Sequence, residues 1–145
     1  MLLVELVYFW SLTASLQAVL TPDLSWNFPS VYYFTYFTYH IGAIAAACFL
    51  VLGCRMYPRP GAVWRVYATT LAFAAIAAVG DILTGGNYMY LSEKPEHNSL
   101  LSVMGPWPWY IAATVVLALA MLLVVKVLTD WVRRRDVAWV VADRR

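Results

Sequence analysis

Four apolar runs constrain this chain more than any other feature. Residues 2–20, 31–54, 63–83 and 109–128 are almost free of charge. Each is near the roughly 20 residues that a helix needs to cross a bilayer. The composition agrees, with 63% apolar and 12% charged residues, where soluble domains hold about half and about a quarter. The expectation is an all-α, multi-pass helical bundle of the cell membrane. Residues 1–132 would form one embedded domain, with an ordered outer loop at 84–108 and a basic tail at 133–145.

The charges set the expected orientation. No Lys or Arg precedes Arg55, and basic residues then cluster at Arg55, Arg59 and Arg65, and at Lys126, Arg133 to Arg135, Arg144 and Arg145. Cytoplasmic loops collect Lys and Arg, so both termini and the 55–65 loop are expected in the cytoplasm. A net charge of +2 distributed this way describes membrane topology and implies no nucleic-acid partner. The two cysteines, Cys48 and Cys54, fall on one helix and cannot bridge each other. Both read as small apolar packing residues.

The first run contains Glu5 and Gln17 and is too long for a signal-peptide core. Glu5 is read as a residue near the cytoplasmic end. Thr21-Pro22-Asp23-Leu24 closes the run with a turn signature, and Trp26, Phe28 and Pro29 mark an interface. A first span without flanking basic residues suggests that further helices precede Met1. The second run is aromatic at first (Tyr32, Tyr33, Phe34, Tyr36, Phe37, Tyr39) and then small (Gly42, Ala43, Ala45 to Ala47). His40 sits at the junction, about 13–15 Å along the span. Tyr36, one turn earlier, shares its face. Ala68, Ala72, Ala75 and Ala78 recur along the third run and suggest burial among other helices. Asp81 lies near its far end.

The loop after the third run holds most of the unusual residues: Asn87, Tyr88, Tyr90, Lys94, His97 and the cluster Pro106-Trp107-Pro108-Trp109-Tyr110. Its aromatic content argues for an ordered cap. No phosphate loop, HExxH, GxSxG or zinc spacing occurs, and no metal or cofactor is expected. Polar groups within spans are costly and need a reason. His40 is the leading catalytic candidate, as a general base or proton relay. An interhelical hydrogen bond explains a histidine there equally well. Asp81 is either a site residue or a cap for the loop beyond it. Trp107 and Trp109 are an interfacial belt first, and His97 is expected in solvent.

Together, TPDL at 21–24, the aromatic run ending in His40, NYMYLSEKP at 87–95 and GPWPWYI at 105–111 resemble the bacterial YwaF-type integral membrane proteins. Those are in turn similar to the eukaryotic transmembrane-protein-164 acyltransferases. The resemblance covers about residues 9–125. It implies an all-helical protein of six or more spans. It also implies acyl transfer between glycerophospholipids through a cysteine nucleophile assisted by a histidine. His40 matches the family histidine, and Asn87, Tyr88, Met89, Trp107, Trp109 and Tyr110 match the loop blocks. The family's nucleophile-bearing helix precedes the first run and has no counterpart here, and neither Cys48 nor Cys54 occupies its place. Ile41 also separates His40 from Gly42, where the family histidine is usually followed directly by glycine.

Three functions remain open at this level. One is a lipid-modifying enzyme or the C-terminal part of one. The expected site is then catalytic His40 with Tyr36, Asp81, Asn87, Tyr88, Trp107 and Trp109 binding substrate, and membrane lipids as partners together with upstream helices or another membrane chain. The others are a transport module with His40 and Asp81 lining a polar path, and a structural subunit.

Overall fold

In hydrocarbon, every peptide N–H and C=O must be bonded within the protein, and a helix meets that demand locally. Four long helices form. The computed structural model describes residues 1–95 and 99–142, the side chains of 136–142 excepted. Helix α1 covers Leu2–Leu20, α2 Val31–Gly53 and α3 Ala62–Thr84, and α4 covers Trp109–Ala142. All four are long and apolar enough to cross a membrane. No strand occurs among the described residues. The expected spans agree with these limits to within a residue, except that α4 continues past 128 and through the Arg133 to Arg135 triplet.

Local chemistry sets the helix ends. The Ser30 hydroxyl accepts the Tyr32 N–H at 3.3 Å and caps α2. Gly61 (φ 76°) and Gly85 (φ 69°) flank α3 in left-handed backbone, which residues with a side chain adopt only under strain. Two stretches, Ser11–Ser15 in α1 and Phe49–Gly53 in α2, widen to π-type turns. Such turns frequently mark functional positions.

Helix α1 is the centre of the bundle, packing on α2, on α3 and, through its π-type turn, on α4. The apolar core gathers Leu6, Phe9, Ala47, Val51, Val63, Val66, Leu122 and Val125. Beside it, Tyr8 and Thr129 share a hydroxyl–hydroxyl bond at 2.9 Å. The Trp10 indole donates to the Thr70 hydroxyl at 2.9 Å. Interhelical bonds of this kind contribute on average about 0.6 kcal/mol each.

Glu5 does not sit at an open interface. Its side chain is fully buried, and the 55–61 loop folds back over the start of α1 to cover it. Glu5 Oε1 accepts from the Arg59 backbone N–H at 3.2 Å, Arg59 Nε at 3.0 Å and Arg65 Nη2 at 2.8 Å. Oε2 accepts from Arg65 Nε at 3.0 Å and Arg59 Nη2 at 3.4 Å. The alanine stripe of α3 also departs from expectation, because Ala68, Ala72 and Ala75 are exposed. The helix packs through its ends instead, burying Ala62, Val63 and Val66 at one and Asp81 at the other. Lipid and a neighbouring helix are both apolar, so an alanine pattern does not separate them.

Candidate functional site

At the end of the bundle away from the arginines, the helices part around a chamber of about 500 Å³. Trp10, Thr13, Ala14 and Gln17 of α1 form one wall, and Tyr36 and His40 of α2 another. Thr114, Leu117, Ala118 and Met121 of α4 complete it. The π-type turn of α1 lies in this wall, with the Thr13 hydroxyl turned back onto the Phe9 carbonyl at 2.7 Å. Leu122 closes the inner end, where it joins the buried core.

His40 therefore faces the bundle interior. Its ring meets that of Tyr36 edge-on, with centroids 4.5 Å apart. Tyr36 is held in turn by its hydroxyl, which donates to the Ala18 carbonyl of α1 at 2.9 Å. Among the described residues no hydrogen bond engages the imidazole, so the interhelical bond that residue type allowed is not what holds it. Polar groups collect at this end: Asp23 from the TPDL turn, Thr21, Gln17 and Tyr90 all line the chamber with Tyr36 and His40.

Residues 84–95 and 99–108 form the roof. Met89 and Tyr90 take left-handed backbone (φ 58° and 55°), a conformation costly for residues with a side chain, of order 1–3 kcal/mol each. Two bonds impose it at Tyr90. Its hydroxyl donates to Asp23 Oδ2 at 2.7 Å, and its carbonyl accepts from the buried Tyr110 hydroxyl at 2.6 Å. Burial first, and then the bond to the Asp23 carboxylate, push the Tyr90 phenol up to about 12.

The other expected site residues do not line the chamber, and several of them build this roof. Asp81, 7% exposed, accepts the Tyr88 N–H at 2.6 Å and the Ser92 hydroxyl at 3.4 Å. Asn87 closes the loop on itself, accepting the N–H groups of Ser92 and Glu93 at 3.0 and 3.1 Å and donating to the Glu93 carbonyl at 2.9 Å. Tyr88, Trp107 and Trp109 are exposed, and the Trp107 indole donates to the Leu91 carbonyl at 3.2 Å. His97 lies outside the described residues. Asp23 and Tyr90 belong to the TPDL and NYMY blocks, yet neither had been singled out for the site. Their proximity depends on a contact between residues 67 positions apart.

Neither cysteine lines the chamber: Cys48 faces a smaller crevice at the opposite end, and Cys54 is exposed. Among the described residues no group of three or more His, Cys, Asp or Glu side chains is placed to hold a metal ion. What the chamber offers is an apolar body with one imidazole, one carboxylate and several hydroxyls at one end. Compared with known proteins, residues 1–126 match the sequence pattern of the TMEM164 family. No curated protein and no solved structure matches the chain.

Proposed function

The chain belongs to the TMEM164 family, and from that premise we propose that its chamber binds a phospholipid ester for acyl exchange, with His40 as the general base. The observation that carries this is the placement of His40 in the wall of a large, mostly apolar chamber, its imidazole unengaged by hydrogen bonds among the described residues. An acyl chain would lie against Leu117, Ala118 and Met121, bringing its ester to the polar end. His40 would take the proton of an attacking thiol. The thiolate would add to the ester carbonyl, the ester C–O bond would break, and the imidazolium would return its proton to the departing alcohol. Neither cysteine of this chain reaches the chamber, so the thiol is assigned to a neighbouring membrane segment or partner chain. In this reading the arginine-rich end faces the cytoplasm and the chamber opens towards the outer leaflet of the cell membrane.

Transport is less well supported, because Phe9, Val66, Leu122 and Val125 close the bundle with apolar side chains beyond the chamber. A test compares the phospholipid acyl profiles of cells producing the wild-type chain or His40→Ala. General-base catalysis contributes about 10²–10⁴-fold, so the acyl shift seen with wild type should vanish in the variant. Identical profiles from the two would remove His40 from any catalytic role. A change in solute uptake without an acyl shift would favour transport.

A further inference from the structure

A second cavity lies at the opposite end of the bundle, separated from the chamber by the core. This crevice of about 130 Å³ runs between the first half of α1, the end of α2 and the Leu128 to Val132 stretch of α4. Leu12, Val51, Leu52, Leu128 and Val132 make its walls almost wholly hydrocarbon, and Tyr57 of the following loop stands at its rim. Leu52 and Leu128 are 51% and 57% exposed, so the crevice is open to the surrounding lipid.

The charge around its rim is uneven. Arg59 and Arg65 are engaged by Glu5, and Lys126 by Asp130. Arg133 has no carboxylate partner among the described residues, and its guanidinium lies over the Tyr57 ring at 5.8 Å from the centroid. Arg55 is exposed and lies two residues beyond the helix whose Val51 and Leu52 form one wall. Its left-handed backbone (φ 55°) belongs to the turn that ends this helix, where the Met56 N–H bonds the Leu50 carbonyl at 3.0 Å. The apolar slot is thus bordered by Arg133 and closed on one side by a helix that leads into Arg55, and neither arginine has a carboxylate partner among the described residues. Guanidinium groups bind phosphate oxygens in pairs of parallel hydrogen bonds, and basic pockets between membrane helices hold anionic headgroups.

We propose that this crevice is a binding seat for one anionic phospholipid of the adjoining leaflet. A stretch of acyl chain fills the slot, and the phosphate-bearing headgroup sits between Arg133 and Arg55. A zwitterionic lipid would fill the slot equally well but leave the arginines less well neutralised, so charge complementarity selects the anionic class. The seat is independent of the chamber and of the chemistry assigned to His40.

The test is native mass spectrometry of the full chain released from micelles containing equal amounts of phosphatidylglycerol and phosphatidylcholine. Wild type is expected to retain one phosphatidylglycerol in preference to phosphatidylcholine. Each of Arg133→Gln and Arg55→Gln should lower that ratio by about five-fold. Leu52→Trp and Leu128→Trp change exposed positions and so leave the core intact, and by filling the slot they should abolish retention. Lys94→Gln, at the far end of the bundle, should leave the ratio unchanged. Equal retention of the two lipids by wild type would overturn the proposal. So would a preference that survives the double arginine variant, retention that survives both tryptophans, or a loss of the same size with Lys94→Gln.

Discussion

Replacing Glu5 by Ala is expected to be among the most destabilising single changes in this chain. The carboxylate is fully buried and accepts five hydrogen bonds from Arg59 and Arg65. Removing one partner of a buried ion pair costs about 3–5 kcal/mol when the other is left buried and uncompensated. Here the arginine side chains are 48% and 37% exposed and regain water once the carboxylate is gone. The expected loss is therefore smaller, about 2–3 kcal/mol. At about 2–4 °C per kcal/mol for a chain of this size, the Tm in detergent should fall by about 4–12 °C. Circular dichroism at 222 nm follows it directly. Arg65→Ala should cost more than Arg59→Ala, because Arg65 makes the shortest contact, at 2.8 Å. Glu5→Ala introduced on top of both arginine changes should cost much less than it does alone. A Glu5→Ala protein within about 0.5 kcal/mol of wild type, the range of an ordinary surface change, would refute the argument that this ion pair fastens the 55–61 loop to α1.

Two further outcomes concern the roof. With its phenol pushed up to about 12 from the usual 10.0, Tyr90 keeps its proton in the folded state after the unfolded chain has lost it. Its contribution to stability is then complete below about pH 10 and is lost as pH rises towards 12. In a phenolate titration followed by ultraviolet absorbance, the wild-type curve minus that of Tyr90→Phe should show one tyrosine ionising near pH 12. A difference centred near pH 10 would mean that neither the burial of Tyr90 nor its Asp23 contact is maintained. Asp81→Ala removes the acceptor for the Tyr88 N–H and the Ser92 hydroxyl and should cost about 1–3 kcal/mol. Limited proteolysis should then cut within 86–95 faster than in wild type, while cleavage at the 55–61 loop stays the same.

The four helices were legible because their signal is local. Crossing hydrocarbon requires an unbroken apolar run of set length, and that requirement is written in consecutive residues. The stretch after the third helix stood out for a similar reason, since its aromatic and proline residues are dense over a short length. For single residues in it, type alone left two uses open. Asn87 and Tyr88 were expected at the site, with Trp107 and Trp109 an interfacial belt first, and the hydrogen bonds of Asn87, of the Tyr88 backbone and of the Trp107 indole tie the loop together. Glu5, one charge near a chain end, carried no sign that arginines 54 and 60 positions away would converge on it.

By itself the amino-acid sequence determined the class of the protein, the number of its apolar helices and the limits of the first three, and the place of His40 on the aromatic half of the second. Only the tertiary structure decided which way that helix is turned, so that His40 and Tyr36 face a chamber and not lipid. The same is true of the contact that brings Asp23 to Tyr90 and closes the roof. The physical reason is that lipid and protein interior are nearly alike to an apolar side chain. Hydrophobic periodicity, which orients helices in water, is weak in this chain. Rotation is set instead by a few polar bonds and close contacts between distant residues, and those exist only once the helices have packed.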